Sequence, residues 1–390
     1  METEQLSMVN YKELQDKYEF DVYPKRDLVI TKGKDAIVWD VEGNEYIDCV
    51  AGIGVATIGH ANDYVVKAIS EQAAKLITCP GIFYNDVKAN LLKMLIEITP
   101  ESLTRVFLTN SGTEAMEAAI KLTRLETGKT KFISTMKGFH GRSMGALSAT
   151  HKADYREGFG PLVPGFSFVP FNNIEKMIEA VDEDTAGIIL EPIQGEGGIN
   201  IADAEYLQAV RSLCDEKDIL LIIDEIQTGF CRTGKMFAIE HYGIQPDIMT
   251  MAKGIGGGFP IGAAVFSDKV KVHKGKHGTT YGGNPLACAA ANASIQFQLD
   301  NKLWETAEEK GKYFRSKLDE IQSDKIRSIR NMGLMVGIEL REKVQPYLVE
   351  LMNRNVLALP AGNTVIRMLP AVTITFEQLD KVTEALIEVL

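Results

Sequence analysis

Cysteine is scarce in this chain, long apolar runs are missing, and positive charge is not in overall excess. Five cysteines occur in 390 residues (Cys49, Cys79, Cys214, Cys231 and Cys288), and none falls in a CxxC pair. Such scatter excludes a disulfide frame or a cysteine-ligated zinc as the basis of the fold, and it suits a reducing cytoplasm. No apolar stretch is long enough to cross a membrane. The opening residues, METEQLSMVNYKELQDKYEF, are acidic and polar. They lack the apolar centre of a signal peptide, so a cytoplasmic protein is expected. A formal charge of −11 argues against nucleic acid as a partner. Internal repeats and low-complexity tracts are missing as well.

What remains is ordinary for a globular enzyme: 45% hydrophobic and 24% charged residues. The length exceeds that of a usual single core, so a large and a smaller domain are expected. Short apolar runs (RVFLTN, KFISTM, TAGIILEP, LLIIDE, DIMTMA and GAAVFS) recur from residue 105 to 267, with polar helical stretches between several of them. Strands of this kind predict an α/β fold whose sheet is mostly parallel and covered on both faces. Ligands in such sheets bind beyond the strand carboxyl ends, where Asn110, Glu191 and Asp224 fall. From about residue 286 long helices give way to the strands SIRNMGLMVGIEL and NTVIRMLP and a terminal helix. The expected division is a large domain over 51–285 and a smaller α+β domain over 286–390, joined by an N-terminal segment over 1–50.

Several segments carry chemistry. Ser111-Gly112-Thr113-Glu114 follows a strand and opens a helix, where Ser111 and Glu114 fit a capping box. The same helix start can hold an anion, with Gly112 allowing close approach of a phosphate, although a capped helix alone also explains the pattern. In GFHGR, Phe139 can stack on an aromatic ring and Arg142 can clamp a carboxylate; an exposed turn explains it equally. Glu191 and Glu196 lie in LEPIQGEGG. Asp224 closes the apolar run LLII as a Walker-B aspartate would, but GxxxxGK followed by Ser or Thr occurs nowhere, which removes most of a nucleotide-hydrolase reading. The glycines after Lys253 do not match GxGxxG. His273 and His277 have helix-face metal spacing, but Gly275 and flanking lysines argue against a metal, and none is expected. Thr279 and Thr280 suit phosphate oxygens, and Arg367 is a cation inside an apolar run, either ion-paired or recognising a carboxylate. Lys253 and Asp224 are the two polar groups that pyridoxal phosphate chemistry needs most. The amine condenses with the cofactor aldehyde, and the carboxylate keeps the pyridine nitrogen protonated.

Taken in order, WDVEGNEYID, NSGTEAMEAAIKL, FHGRSMGALSAT, LEPIQGEGG, IIDEIQTGFCRTGK, DIMTMAKGIGGGFPIGA, HGTTYGGNPLACAA and VIRMLP resemble the class III aminotransferases, pyridoxal phosphate enzymes of fold type I. The resemblance covers nearly the whole chain. It implies a homodimer with active sites at the subunit interface, a ping-pong transamination with glutamate and 2-oxoglutarate, and a set of roles. Lys253 is the Schiff-base lysine that also moves the proton, and Asp224 pairs with the pyridine nitrogen. Gln227 lies near the ring oxygen and Phe139 stacks on the ring. Ser111, Gly112 and Thr113 hold the phosphate, Thr280 reaches it from the other subunit, and Glu225 is grouped with these cofactor-binding residues. Tyr23, Arg142 and Thr279 meet the substrate. Arg367 clamps the α-carboxylate of glutamate, and Glu196 masks that arginine when the other substrate is bound.

Within the family the likeness is to the acetylornithine type. Ile53 stands where ornithine aminotransferases carry a tyrosine. Segments such as EYIDCVAGIGVATIGH and VLALPAGNTVIRMLP resemble the branch whose lysine or ornithine substrate is tethered to the small acidic carrier protein LysW, with N-acetylornithine as the second choice. Aminotransferases of 4-aminobutyrate or free ornithine, an aminomutase, and a non-catalytic binding protein of the same fold are the remaining rivals. The basic run KVKVHKGKH over 269–277 suggests a docking point for an acidic carrier, or simply a solvated loop.

Overall fold

The computed structural model describes residues 8–390. Its largest sheet has seven strands: β4 (Leu103–Thr109), β5 (Lys131–Thr135), β6 (Phe166–Val169), β7 (Thr185–Leu190), β10 (Leu220–Asp224), β11 (Ile248–Met251) and β12 (Gly262–Ser267), in the order β4-β12-β11-β10-β7-β5-β6. All pairings are parallel except those of β12, which runs against both neighbours. β7, β10, β11 and β12 are buried along their whole length. Their largely apolar, non-alternating composition (TAGIIL, LLIID, IMTM and GAAVFS) is what a sheet covered on both faces requires. The edge strand β6 was not among the expected ones: FSFV is short and alternates in burial, so it does not read as a continuous apolar run.

Two smaller sheets use the chain ends. β1 (Ile30–Lys34), β2 (Ile37–Asp40) and β3 (Glu45–Asp48) form a meander, and β3 takes β15 (Val356–Leu357) as a parallel neighbour. N-terminal and C-terminal segments therefore share a sheet. β13 (Ile326–Met332), β14 (Met335–Leu340), β16 (Leu359–Ala361) and β17 (Val365–Met368) form the other, in the order β13-β14-β17-β16. A two-stranded hairpin of β8 (Ile193–Gln194) and β9 (Asn200–Ile201) is inserted between β7 and β10 of the large sheet. No helix among the described residues is long and apolar enough to cross a membrane.

Two links fix the C-terminal sheet against the large one. Arg232 is completely buried, and its guanidinium donates to the carbonyls of Leu334 and Pro370. Its backbone carbonyl accepts from the Leu334 amide. The segment after β10 is thus bonded to the turn before β14 and to the residues just after β17. Burial without an anion lowers the Arg232 pKa to about 10, so only these carbonyls compensate the charge.

Candidate active site

The carboxyl ends of β4, β7, β10 and β11 surround a cavity of about 440 Å³. Asn110, Ser111, Gly112, Thr113, Phe139, Arg142, Glu191, Glu196, Asp224, Ile226, Gln227 and Lys253 all line it. Residues more than a hundred positions apart converge here because each follows a buried strand that stops at the same level.

Lys253 begins a short 3₁₀ turn just after β11 with φ near +41°, the left-handed region. A non-glycine residue held there costs about 1–3 kcal/mol, and such strain concentrates at functional sites. Burial lowers the pKa of its amine; Glu196, Asp224 and Glu191 oppose the shift and Arg367 adds to it, and the net direction is down. A buried amine with a lowered pKa is the form suited to nucleophilic and proton-transfer work.

Asp224 ends β10 and is almost fully buried. One carboxylate oxygen accepts from the Ile226 amide at 3.0 Å, and the other lies 2.8 Å from His140 Nδ1. Burial opposes protonation of His140, but its hydrogen bond to Asp224 and the charges of Asp224 and Glu191 prevail, so its pKa is raised. Glu191, behind them, is pushed up to about 7, chiefly by burial. It accepts from the amides of Phe139 at 2.9 Å and Gly195 at 3.4 Å. The result is a buried cluster of Asp224, His140 and Glu191, all three of which line the cavity.

The helix Gly112–Thr127 points its N-terminus at the cavity. Ser111 caps it by accepting from the Glu114 amide at 3.3 Å. The other half of the expected capping box is displaced by one residue: Glu114 accepts from the amide of Asn110 at 2.6 Å, not from that of Ser111. The first-turn amides of Gly112 and Thr113 have no intrahelical acceptor, as in any helix start, and suit an anion. Thr113 Oγ1 is held 2.6 Å from Ser143 Oγ, so its amide is the free donor. A Cβ on Gly112 would lie 2.8 Å from Ile226, a contact that only glycine avoids.

Arg367, on β17, is 3% exposed and is paired with Glu196. Its second partner is Gln227 Oε1 at 3.4 Å. Burial would raise the Glu196 pKa, but the charge and hydrogen bond of Arg367 win and hold it low. Gly195 has no room for a side chain because Gln227 Oε1 occupies that space. Arg142 is exposed and has no carboxylate partner among the described residues. Its guanidinium lies 3.7 Å from the Tyr155 ring centre and 5.5 Å from that of Phe139.

Arg367 does not itself line the cavity and is connected to it through Glu196, and four other expected residues lie elsewhere. Glu225 does not line the cavity. The strand direction that aims Asp224 at the cavity turns Glu225 away, and its carboxylate accepts from Thr228 and the amides of Ala238 at 3.1 Å and Ile239 at 2.7 Å. This corrects its grouping with the cofactor-binding residues: it is an internal anchor for the loop after β10. Tyr23 and Thr280 are exposed and away from the cavity of their own chain. Thr279 Oγ1 is 3.4 Å from Asn110 Nδ2, at the cavity edge. Conversely, His140, Ile226 and Tyr155 were not singled out from sequence. His140 and Ile226 stand beside residues that were, and Tyr155 gave no signal.

The donors present fit pyridoxal phosphate. The cavity offers an amine for an aldehyde, a carboxylate for a ring nitrogen, apolar walls in Phe139 and Ile226, and a helix start for a phosphate.

Comparison with known proteins agrees. The family model for aminotransferase class-III matches residues 21–390. A LysW-aminoadipate semialdehyde transaminase from Deinococcus radiodurans is 50% identical over 96% of this chain and 88% of its own length. An acetylornithine aminotransferase from Methanosarcina mazei is 47% identical over 95% of this chain and 93% of its own. Among solved structures, the ornithine aminotransferase of Toxoplasma gondii superposes with a TM-score of 0.94 at 34% identity, covering 98% of this chain and 95% of that one.

Proposed function

Because the chain belongs to the class-III aminotransferases, enzymes that use pyridoxal phosphate, we propose that it transfers the terminal amino group between an α-N-acylated lysine or ornithine and 2-oxoglutarate, yielding a semialdehyde and glutamate. The observation that carries this reading is the unequal pair of arginines around Lys253. Arg142 stands free at one side, whereas Arg367 is already occupied by Glu196. A site built this way accepts one substrate through Arg142 with Arg367 neutralised. It accepts a dicarboxylate when Glu196 gives way. A buried arginine stripped of any anion would be costly, so the carboxylate must be replaced by another as it leaves.

When bound, pyridoxal phosphate takes up the amino group at its aldehyde carbon and stores it between the two halves of the reaction. The chain's own residues divide the remaining work. Lys253 Nζ, whose pKa burial lowers, would hold the aldehyde carbon and is the chain's own group to move the proton at the reacting carbon. Asp224, oriented by His140 and the Ile226 amide, keeps the ring nitrogen cationic. The amides of Gly112 and Thr113 hold the phosphate.

The blocking group of the donor is, on this reading, a small acidic carrier protein, as the name of the Deinococcus relative suggests. In the basic run, Lys269 is engaged by Asp247 at 2.9 Å, and Lys271 and His273 by Glu126 at 3.8 and 3.3 Å. Lys274 and Lys276 are the exposed lysines left for an acidic partner. N-acetylornithine is the second reading, favoured by the Methanosarcina relative. A homodimer is supported by the exposed apolar side chains of Ile82, Phe83, Tyr84 and Tyr281, which a second copy would cover. Turnover of N-acetylornithine against carrier-linked lysine and ornithine tests the proposal. Activity on free ornithine or 4-aminobutyrate alone would refute it.

A further inference from the structure

The cavity around Lys253 is not the only chamber at this site. Phe139 and Glu196 also line a second cavity, of about 320 Å³, so the two chambers share a wall. Loop residues before and after Phe139 build one side of the second chamber, Asn200 of β9 another. Arg330 of β13 and the turn between β16 and β17, with Asn363, build the third. Its size is at the low end for small-molecule sites.

The charges in this chamber do not balance. Both of its carboxylates are committed: Glu196 to Arg367, and Glu339 to Arg330 at 2.5 Å. Lys137 has no carboxylate partner among the described residues. Lys152 has only Asp154 at 3.3 Å, which is three-quarters exposed. Burial and the nearby Arg156 push the His151 pKa down, so that ring adds no charge at neutral pH. Of the two exposed lysines that line the chamber, Lys137 therefore has no carboxylate partner, and Lys152 has only a solvent-exposed one and the Tyr155 ring at 4.8 Å. Asn200 gives its amide nitrogen to Gln194 Oε1 at 3.1 Å and the Gly197 carbonyl at 3.0 Å, which leaves its oxygen as an acceptor.

Tyr155 joins the chambers. Its ring lines the second and carries the Arg142 guanidinium, which lines the first. A substrate carboxylate on Arg142 thus has its neighbouring α-nitrogen close to Tyr155, and whatever is attached to that nitrogen has the second chamber as its nearest space. We propose that this second chamber is the acyl subsite: it receives the group on the α-nitrogen of the donor and favours an acyl group that itself carries a carboxylate, held by Lys137 and Lys152. The proposal rests on the reading above that the donor is N-acylated, and it adds where the acyl group sits and what charge it bears.

The test uses the holoenzyme with N-acetylornithine, N-succinylornithine and glutamate as amino donors. Lys137→Glu combined with Lys152→Glu should lower kcat/KM for the succinyl donor about tenfold or more, as expected for losing a charged contact. The acetyl donor should change less than about threefold. Asn363→Trp, which fills the chamber, should lower kcat/KM for both acylated donors. Glutamate turnover and the visible absorbance of the bound cofactor should be unchanged in both variants, and this also reports intact folding. Acylated donors that turn over in the wild type but respond to neither variant would overturn the subsite alone, as would equal losses with glutamate. Refusal of every acylated donor by a wild type that still uses glutamate would overturn the substrate reading and the subsite with it.

Discussion

Removing the Glu196 carboxylate is the sharpest perturbation of the two-arginine arrangement. In Glu196→Ala, Arg367 keeps only the weak contact to Gln227 Oε1 at 3.4 Å while remaining 3% exposed. Breaking a fully buried pair by deleting one partner costs about 3–5 kcal/mol. The Glu196 side chain is 23% exposed, which lets some solvent reach the vacated position, so a loss of about 2 kcal/mol is expected. A non-reacting dicarboxylate such as glutarate should then bind Arg367 in place of the carboxylate. At 100 times its Kd it returns about 2.7 kcal/mol, enough to cancel the deficit. Denaturant unfolding with and without glutarate measures both figures. In kinetics, the variant should lose affinity for the acylated donor, because Arg367 is no longer masked, and keep glutamate turnover. The sign with pH follows from the depressed carboxyl: its contribution is complete above about pH 4.3 and disappears as pH falls through the lower folded value. Wild type and variant should therefore converge in stability on acidification. Equal stability at neutral pH, no differential effect of glutarate, and matched losses in both half-reactions would refute the reasoning.

Other outcomes follow from the same geometry. Glu225→Gln should leave the cofactor Kd within about twofold, measured by fluorescence titration, since the carboxylate serves the Ala238 and Ile239 amides. Burial pushes the Glu225 carboxyl up to about 7, so wild type should lose stability relative to this variant as pH rises from about 4.3 to about 7. His140→Ala should weaken cofactor binding about tenfold or more, because Asp224 loses a charge-assisted partner at 2.8 Å; equilibrium dialysis that finds an unchanged Kd would contradict its positioning role. Tyr155→Leu removes the ring under Arg142 and should raise KM for the acylated donor about fivefold with kcat little altered. A fall in kcat alone would count against that.

The large sheet was legible because its strands are unbroken apolar runs, as in TAGIIL and LLIID, and the residues at their carboxyl ends are the polar ones that meet in the cavity. Lys253 and Asp224 stood out for the same reason: each interrupts an apolar setting. Burial contrast fails where a residue's partner is remote. His140 reads as a turn residue until the fold brings it against Asp224, and Tyr155 lies in a short polar helix whose ring matters only because Arg142 rests on it. Adjacency misled in one place. Glu225 shares a motif with Asp224, yet successive side chains at a strand end point opposite ways. β6 escaped notice because FSFV is only four residues long, is interrupted by a serine and sits at the sheet edge.

The central claim is that Lys253 Nζ holds the cofactor carbon. Borohydride reduction of the holoenzyme, followed by digestion and mass spectrometry, reads this directly. The account predicts a pyridoxyl adduct on the peptide that contains Lys253 and its loss, with the visible absorbance, in Lys253→Ala. An adduct on another lysine, or an undiminished absorbance in that variant, would contradict it.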